Sequence, residues 1–195
     1  MAKRTTSKRK TPAKQENDST RTILIVVAVV LGLSALGYLL FLSLRGPQAL
    51  EGIQEFVGLS RAHDENVDYT GLELPPTGGT HSGTWQNCGI YDEPLDTKNA
   101  VHSLEHGAVW VAYQPDLIAD EVTTLQELVG GHPYVLLSPY PGLKSPVVLT
   151  AWGIQLEVDS AGDARVAEFI DRYEQGPQTP ELGATCRDGI GTPIG

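Results

Sequence analysis

Two histidines and a glutamate share the short string Val101-His-Ser-Leu-Glu-His-Gly107. In a helical turn, His102 and His106 are i and i+4 neighbours on one face, so their imidazoles can share a metal ion. Glu105, between them, can act as a ligand, as an acceptor for a ligating imidazole or as a general base. The string therefore predicts a metal-binding or catalytic cluster.

The same letters, H-x-x-E-H, spell the inverted zinc-peptidase motif, in which two imidazoles hold zinc and the carboxylate deprotonates the bound water. Such an enzyme needs this motif inside a long helix and a third ligand from another helix, for which Glu168 or Glu174 is available. Gly107 follows His106 directly, and a strand-like run begins at once. This context favours a binding protein over an enzyme, and a metal-dependent hydrolase using Glu105 remains the alternative.

Two further histidines lie in stretches that can fold over this motif. His81 is in a glycine-rich loop (GGTHSG), and His63 is in the string RAHDE. Together with His102 and His106 they can form a site of three or four imidazoles, a ligand set that suits copper(II) or zinc(II). The chain contains a single methionine, Met1, which excludes a methionine-rich copper(I) site. We expect His81, His102 and His106 to converge, with His63 near.

A second reading makes the histidines structural and the protein an interaction or assembly module. In that case an envelope protein partner would bind a surface of aromatic and proline residues, for which the candidates are Trp85, Tyr91, residues 139–141 and Trp152. Spatial convergence of the histidines would separate the metal site from this alternative.

Residues 23–44 form an uncharged apolar run of 22 residues, which at about 1.5 Å per residue spans the roughly 30 Å hydrocarbon core of a bilayer. The run is longer than the apolar part of a signal peptide, and no A-x-A-like site ends it. Seven Lys or Arg residues and two acids precede it within residues 1–21. By the positive-inside rule, the sequence predicts a basic, disordered cytoplasmic tail over 1–22, a single-pass transmembrane helix over 23–44 and an extracytoplasmic domain over 45–195.

Charge and composition limit what the exported part can do. The chain has 195 residues and a net charge of −10, and the part after residue 21 carries −15. Such a domain repels polyanions, so nucleic acid is excluded as a partner. The chain also has no G-x-S-x-G elbow and no phosphate-binding P-loop.

Hydrophobic periodicity predicts an α+β fold with a mainly antiparallel sheet packed by helices. Helices are predicted over residues 48–61, 116–129 and 164–173, and strands over residues 108–113, 134–137, 146–152 and 154–158. Residues 64–100 and 176–195 are rich in glycine and proline and are predicted to be irregular.

Cys88 and Cys186 are the two cysteines of the chain, and both lie in irregular segments on the predicted outer side. Disulfides persist in that compartment, so we expect the two residues to be paired. A thiolate ligand or a redox role for Cys88 is the alternative, although no C-x-x-C motif supports it.

Six strings are spread along the exported part: LPPTGGTH (74–81), GIY (89–91), VHSLEHGAV (101–109), LSPYPGL (137–143), TAWG (150–153) and GPQTPE (176–181). Together they resemble DUF3105, an uncharacterised family of single-pass bacterial membrane proteins found mostly in actinobacteria. The resemblance covers about residues 48–193 and implies an N-terminal anchor with an exported domain. It implies no established activity.

Overall fold

A computed structural model describes residues 18–44 and 50–194. The chain divides into two compact units, residues 1–48 and 49–195. Within the described ranges there are four α-helices and six β-strands, so the predicted α+β class is confirmed.

The first unit contains helix α1 (Asp18–Leu44), which begins five residues before the predicted apolar run. Its segment Arg21–Phe41 is long and apolar enough to cross a membrane, a property that transmembrane helices share with signal sequences. Most of the predicted basic tail, residues 1–17, lies outside the described residues.

The second unit is built on one mixed sheet. Its strands are β1 (Gln54–Glu55), β2 (Gly89–Ile90), β3 (Val109–Tyr113), β4 (Val135–Pro139), β5 (Val147–Ala151) and β6 (Ile154–Val158). They lie in the order β1-β6-β5-β3-β4-β2. Among the described strand pairings, three are antiparallel, and β3–β4 and β2–β4 are parallel. The β3–β4 pair is parallel because a helix connects the two strands, whereas a tight hairpin would make them antiparallel.

Alternation along β3 creates a core on each side of the sheet. Val109 and Val111 face a cluster with helices α3 (Ala119–Val129) and α4 (Ala164–Tyr173). Trp110 faces the opposite cluster, which includes helix α2 (Thr97–Glu105) and Trp152. Successive strand residues point to opposite faces, so a strand that is buried throughout supplies both cores.

The helix predicted over residues 48–61 is wrong in its described part. The segment contains β1, in which Gln54 pairs with Gln155 of β6. Gly52 and Gly58 adopt positive φ angles of 85° and 72°, which a continuous helix does not allow. Val57, which would lie with Ile53 on the apolar face of such a helix, is 92% exposed.

The segment 64–100 is mostly irregular, as predicted, but it also contains β2 and the first residues of α2. Asp96 caps this helix by accepting a hydrogen bond from the main-chain N–H of Lys98. Residues 176–194 contain no helix or strand, in agreement with the prediction for the described part of that segment.

Candidate metal centre

Helix α2 presents one face to the core and brings the H-x-x-E-H residues to its other side. Val101 and Leu104 are fully buried in the cluster on that face of the sheet. His102 lies in the helix, Glu105 is its last residue, and His106 is its C-cap. Gly107 then takes a φ of 95°, which turns the chain directly into β3. This sharp turn keeps the three polar side chains at one end of the helix.

The loop that carries His81 is held against the segment that carries His63. The two residues form an isolated parallel bridge. The main-chain N–H of His81 donates to the carbonyl of Ala62 at 3.0 Å, and that of Asp64 donates to the carbonyl of His81 at 2.7 Å. Two irregular segments are thus fixed side by side, with a histidine on each.

The Glu65 carboxylate binds the same loop through hydrogen bonds. Glu65 accepts hydrogen bonds from the Ser82 hydroxyl and, at 2.7 Å, from the main-chain N–H of Gly83. These bonds to Gly83 and Ser82 lower the pKa of Glu65, because they stabilise its ionised form. Glu65 therefore fixes the two residues that follow His81, Ser82 through its hydroxyl and Gly83 through its main-chain N–H.

Four imidazole rings meet where α2 and these loops converge. The ring centroids of His63, His81 and His102 are 4.8–4.9 Å apart, and those of His102 and His106 are 4.6 Å apart. Three of the rings are almost completely buried, while the His63 side chain is 50% exposed. The structure therefore brings together all four histidines that the sequence singled out.

Main-chain carbonyls fix the tautomer of three of these rings. Each Nδ1 atom lies 2.7 Å from a main-chain carbonyl oxygen: that of His81 from Gly79, that of His102 from Ser82 and that of His106 from Thr185. A carbonyl oxygen only accepts, so each Nδ1 carries the proton, and in the neutral ring the Nε2 lone pair is left for another partner. Metal-binding histidines in proteins are oriented in this way.

Glu105 faces the histidine cluster with one carboxylate oxygen. Its Oε2 lies 2.9 Å from Nε2 of His81 and 3.8 Å from Nε2 of His63. Its Oε1 accepts a hydrogen bond from Arg61 Nε. One ligand atom from each of His63, His81, His102 and Glu105 lies within 4.8 Å of the others, an arrangement that can hold a metal ion.

Electrostatics favour the metal-binding protonation states of two residues in this cluster, His102 and Glu105. Burial, together with the neighbouring histidines, lowers the pKa of His102 to about 4, so its ring is neutral at pH 7. Burial alone would raise the pKa of Glu105, but the Arg61 hydrogen bond and nearby positive charge hold that pKa below its usual value. A neutral imidazole therefore lies beside an ionised carboxylate.

A second carboxylate, from the C-terminal segment, reaches the same end of α2. Arg61 Nη2 donates to Oε1 of Glu181 at 2.7 Å, and Oε2 of Glu181 lies 3.6 Å from Nε2 of His106. The ligand atoms of His102, His106 and Glu181 form another group within 4.8 Å of one another. Arg61 and Glu181 were not predicted as site residues, because they lie 44 and 76 residues from Glu105 along the chain.

The disulfide anchors the segment that carries Glu181. Cys88 and Cys186 are joined by a disulfide, with their Cα atoms 5.4 Å apart and a sequence separation of 98. The main-chain N–H of Cys88 also donates to the carbonyl of Cys186 at 2.9 Å. Thr185, whose carbonyl orients His106, is the neighbour of Cys186, so the bond holds one side of the cluster in place.

The zinc-peptidase arrangement is not present around these residues. Helix α2 has nine residues, which is shorter than that arrangement requires. The two candidates for a third ligand point elsewhere, since Glu174 binds Nδ1 of His132 at 2.6 Å and Glu168 pairs with Arg172. The geometry thus gives no support for the hydrolase alternative.

Two of the aromatic residues that the sequence suggested for a partner surface are buried. Tyr91 and Trp152 are each only 8% exposed and belong to the core cluster that contains α2. Large aromatic side chains bury there because the irregular segments cover this face of the sheet, so they are not available to a partner.

Comparison with known proteins places the chain in a family. A search of curated proteins and of solved structures found no match. The sequence model of the family described as "Protein of unknown function (DUF3105)" matches residues 60–188, which include the four clustered histidines, Glu105, Glu181 and both cysteines. The chain therefore belongs to the DUF3105 family, as its sequence strings predicted.

Proposed function

We propose that this protein is a membrane-anchored, extracytoplasmic metal-binding protein that holds one copper(II) or zinc(II) ion through His63, His81, His102 and Glu105. The observation that carries the proposal is the orientation of the buried rings: His81 and His102 each use Nδ1 on a main-chain carbonyl, which leaves the Nε2 lone pair for a metal ion, and Nε2 of His81 faces Glu105. Imidazoles that serve only the scaffold have no need to converge in this way.

The buried pair at the centre supports a cation at this position. Nε2 of His81 and Oε2 of Glu105 are both buried and 2.9 Å apart, and neither makes a hydrogen bond among the described residues. Burying two facing acceptor atoms is costly, and a cation bound by both, a metal ion or a proton, removes that cost. Ligands of one ion at bond lengths of about 2 Å lie roughly 3 Å apart, close to the 2.9 Å between these two atoms.

The ligand types support copper(II) or zinc(II) over other ions. Neutral imidazoles suit both metals, whereas magnesium and calcium prefer a set of oxygen ligands. Both cysteines are in the disulfide, so the cluster offers no thiolate, and the single methionine is Met1. A soft copper(I) site is therefore not favoured.

The anchor and its orientation support an extracytoplasmic location. The seven basic residues before the apolar run 23–44 favour a cytoplasmic N-terminus, and a disulfide persists in an oxidising compartment. A reporter enzyme that is active only outside the cytoplasm, fused after Gly195, should be active. An inactive reporter at normal expression would contradict this orientation.

Metal retention by the full-length chain in detergent tests the binding function. After chelator treatment, incubation with Zn(II) or Cu(II) salts and gel filtration, elemental analysis should find one ion per chain. His102→Ala should retain none, because His102 belongs to both groups of candidate ligands. His132→Ala is the matched control, since His132 contacts Glu174 away from the cluster, and it should bind as the wild type does.

Two results would overturn the metal-binding function. One is a wild-type chain that retains neither ion, and the other is equal retention by His102→Ala and the wild type. Circular dichroism of each variant shows whether a loss of metal comes from unfolding.

A further inference from the structure

The two groups of candidate ligands share one histidine. We call His63, His81, His102 and Glu105 the primary position, and His102, His106 and Glu181 the outer position. In each group the ligand atoms lie within 4.8 Å of one another. His102 is therefore placed to contact an ion at either position.

His102 has one nitrogen to offer. Its Nδ1 faces the carbonyl of Ser82 at 2.7 Å, so Nε2 is the atom that remains for a metal. One lone pair binds one ion, which makes the two positions mutually exclusive. With both about 2 Å from the same nitrogen, they are at most about 4 Å apart.

The positions differ in ligand set and in exposure. The primary position has three imidazoles, and its Glu105 side chain is 1% exposed. The outer position has two imidazoles, and its Glu181 side chain is 42% exposed. An ion with more nitrogen ligands in a more buried site is bound more tightly, so the primary position is where the ion rests.

Arg61 connects the carboxylates of the two positions. Its Nε donates to Glu105 and its Nη2 donates to Glu181. Each carboxylate then turns its other oxygen toward an imidazole, Glu105 toward His81 and Glu181 toward His106. Whichever carboxylate is without the ion keeps a positive partner, so an ion can move between the positions without leaving an uncompensated negative charge.

We propose that the outer position is a transfer position, through which the ion passes between solvent and the primary position by stepwise ligand exchange at His102 Nε2. The step involves no redox change, since imidazole and carboxylate ligands replace one another on an ion of constant charge. This proposal rests on the metal-binding function given above and adds a route to it.

The route has a kinetic signature that distinguishes it from a role for His106 as a resting ligand. A transfer position belongs to the path and not to the bound state. Its removal must therefore slow loading and release by the same factor and leave the equilibrium dissociation constant unchanged.

Stopped-flow mixing of the full-length chain with Zn(II), and of the loaded chain with excess chromophoric chelator, measures both rates. We expect His106→Ala to slow each by about tenfold, the lower end of the effect of removing a supporting group at a metal site. His132→Ala, the matched control, should leave both rates unchanged. Unchanged rates in His106→Ala would overturn the proposal and show that the ion enters past the exposed His63. An altered dissociation constant would overturn it as well, because His106 would then be a ligand of the resting ion.

A variant without the primary position makes the outer one visible. His63→Ala/His81→Ala should still bind Cu(II) weakly, with the electron paramagnetic resonance signal of two coordinated imidazole nitrogens, and the triple variant that adds His106→Ala should lose this signal. The same residual binding in both variants would contradict the outer position. If the wild type binds no metal, the metal-binding function fails and this inference fails with it, whereas normal wild-type binding combined with either contradictory result overturns the transfer position alone.

Discussion

Nε2 of His81 lies 2.9 Å from Oε2 of Glu105, with the two side chains 0% and 1% exposed. Neither atom makes a hydrogen bond in the described part of the chain. Two acceptor atoms at this distance repel each other unless a proton or a cation lies between them. A metal ion bound between these two atoms would therefore stabilise the folded protein directly.

Glu105→Gln tests this coupling. The amide has nearly the same size but no charge, so we expect the Zn(II) dissociation constant to rise by at least about 10–100-fold, the cost of losing even an outer partner at a metal site. Competition with a chromophoric chelator measures it. Glu168→Gln is the matched control, because Glu168 is 52% exposed and pairs with Arg172 in α4. A Glu105→Gln affinity equal to that of the control would show that the carboxylate is not a ligand.

Replacing both Cys88 and Cys186 by serine should weaken the fold. The disulfide links residues 98 apart, and the chain-entropy account assigns such a loop about 4–5 kcal/mol. Urea unfolding of the wild type with and without reductant, beside the serine variant, measures the effect. The variant should be insensitive to reductant, and a wild type that is equally insensitive would contradict the contribution of the disulfide.

Gly107→Ala should destabilise the protein more than Gly131→Ala. Both glycines have positive φ angles, 95° and 90°, so each substitution carries backbone strain of about 1–2 kcal/mol. A Cβ at Gly131 meets open space, whereas at Gly107 it would overlap Gln175 and Thr179. Such overpacking costs about 1–3 kcal/mol more. Equal losses in urea unfolding would show that the turn after His106 tolerates a side chain.

The cap of α4 predicts a pH dependence of stability. Asp163 accepts hydrogen bonds from the side chain and the main-chain N–H of Arg165, and these bonds lower its pKa. A carboxyl whose folded pKa is lowered stabilises the fold above its unfolded pKa of about 3.9, and this contribution is lost as the pH falls through the folded value.

At pH 7, Asp163→Ala should therefore lower the free energy of unfolding by about 1 kcal/mol, a typical cost of losing an N-cap. The difference from the wild type should shrink below pH 4. Asp163→Asn keeps an N-cap acceptor without the charge, so it should lose less at pH 7. A wild-type advantage over Asp163→Ala that is the same at pH 3 and pH 7 would contradict the role of the charge.

Local sequence patterns were sufficient for several features of this protein. The i and i+4 spacing of His102 and His106 placed both on one side of α2, because a helix repeats every 3.6 residues. The apolar run predicted α1, and the β-branched run predicted β3 nearly to the residue. Each of these depends on neighbours within a few turns or one strand.

Other features depended on contacts that no short pattern encodes. The periodicity of residues 48–61 resembled a helix, but pairing of Gln54 with Gln155 across the sheet outweighed it. Arg61 and Glu181, 120 residues apart, meet because the disulfide and the irregular segments carry the C-terminal part of the domain to the end of α2.

The sequence by itself therefore determined the family, the apolar helix, the α+β class and the histidines worth testing. Only the tertiary structure decided which nitrogen each ring presents, which carboxylates face the rings and that His102 is shared by two groups of ligands. The reason is physical: the orientation of a ring is set by hydrogen bonds to carbonyls such as that of Thr185, 79 residues from His106. Such a partner comes within reach only when the whole domain has folded.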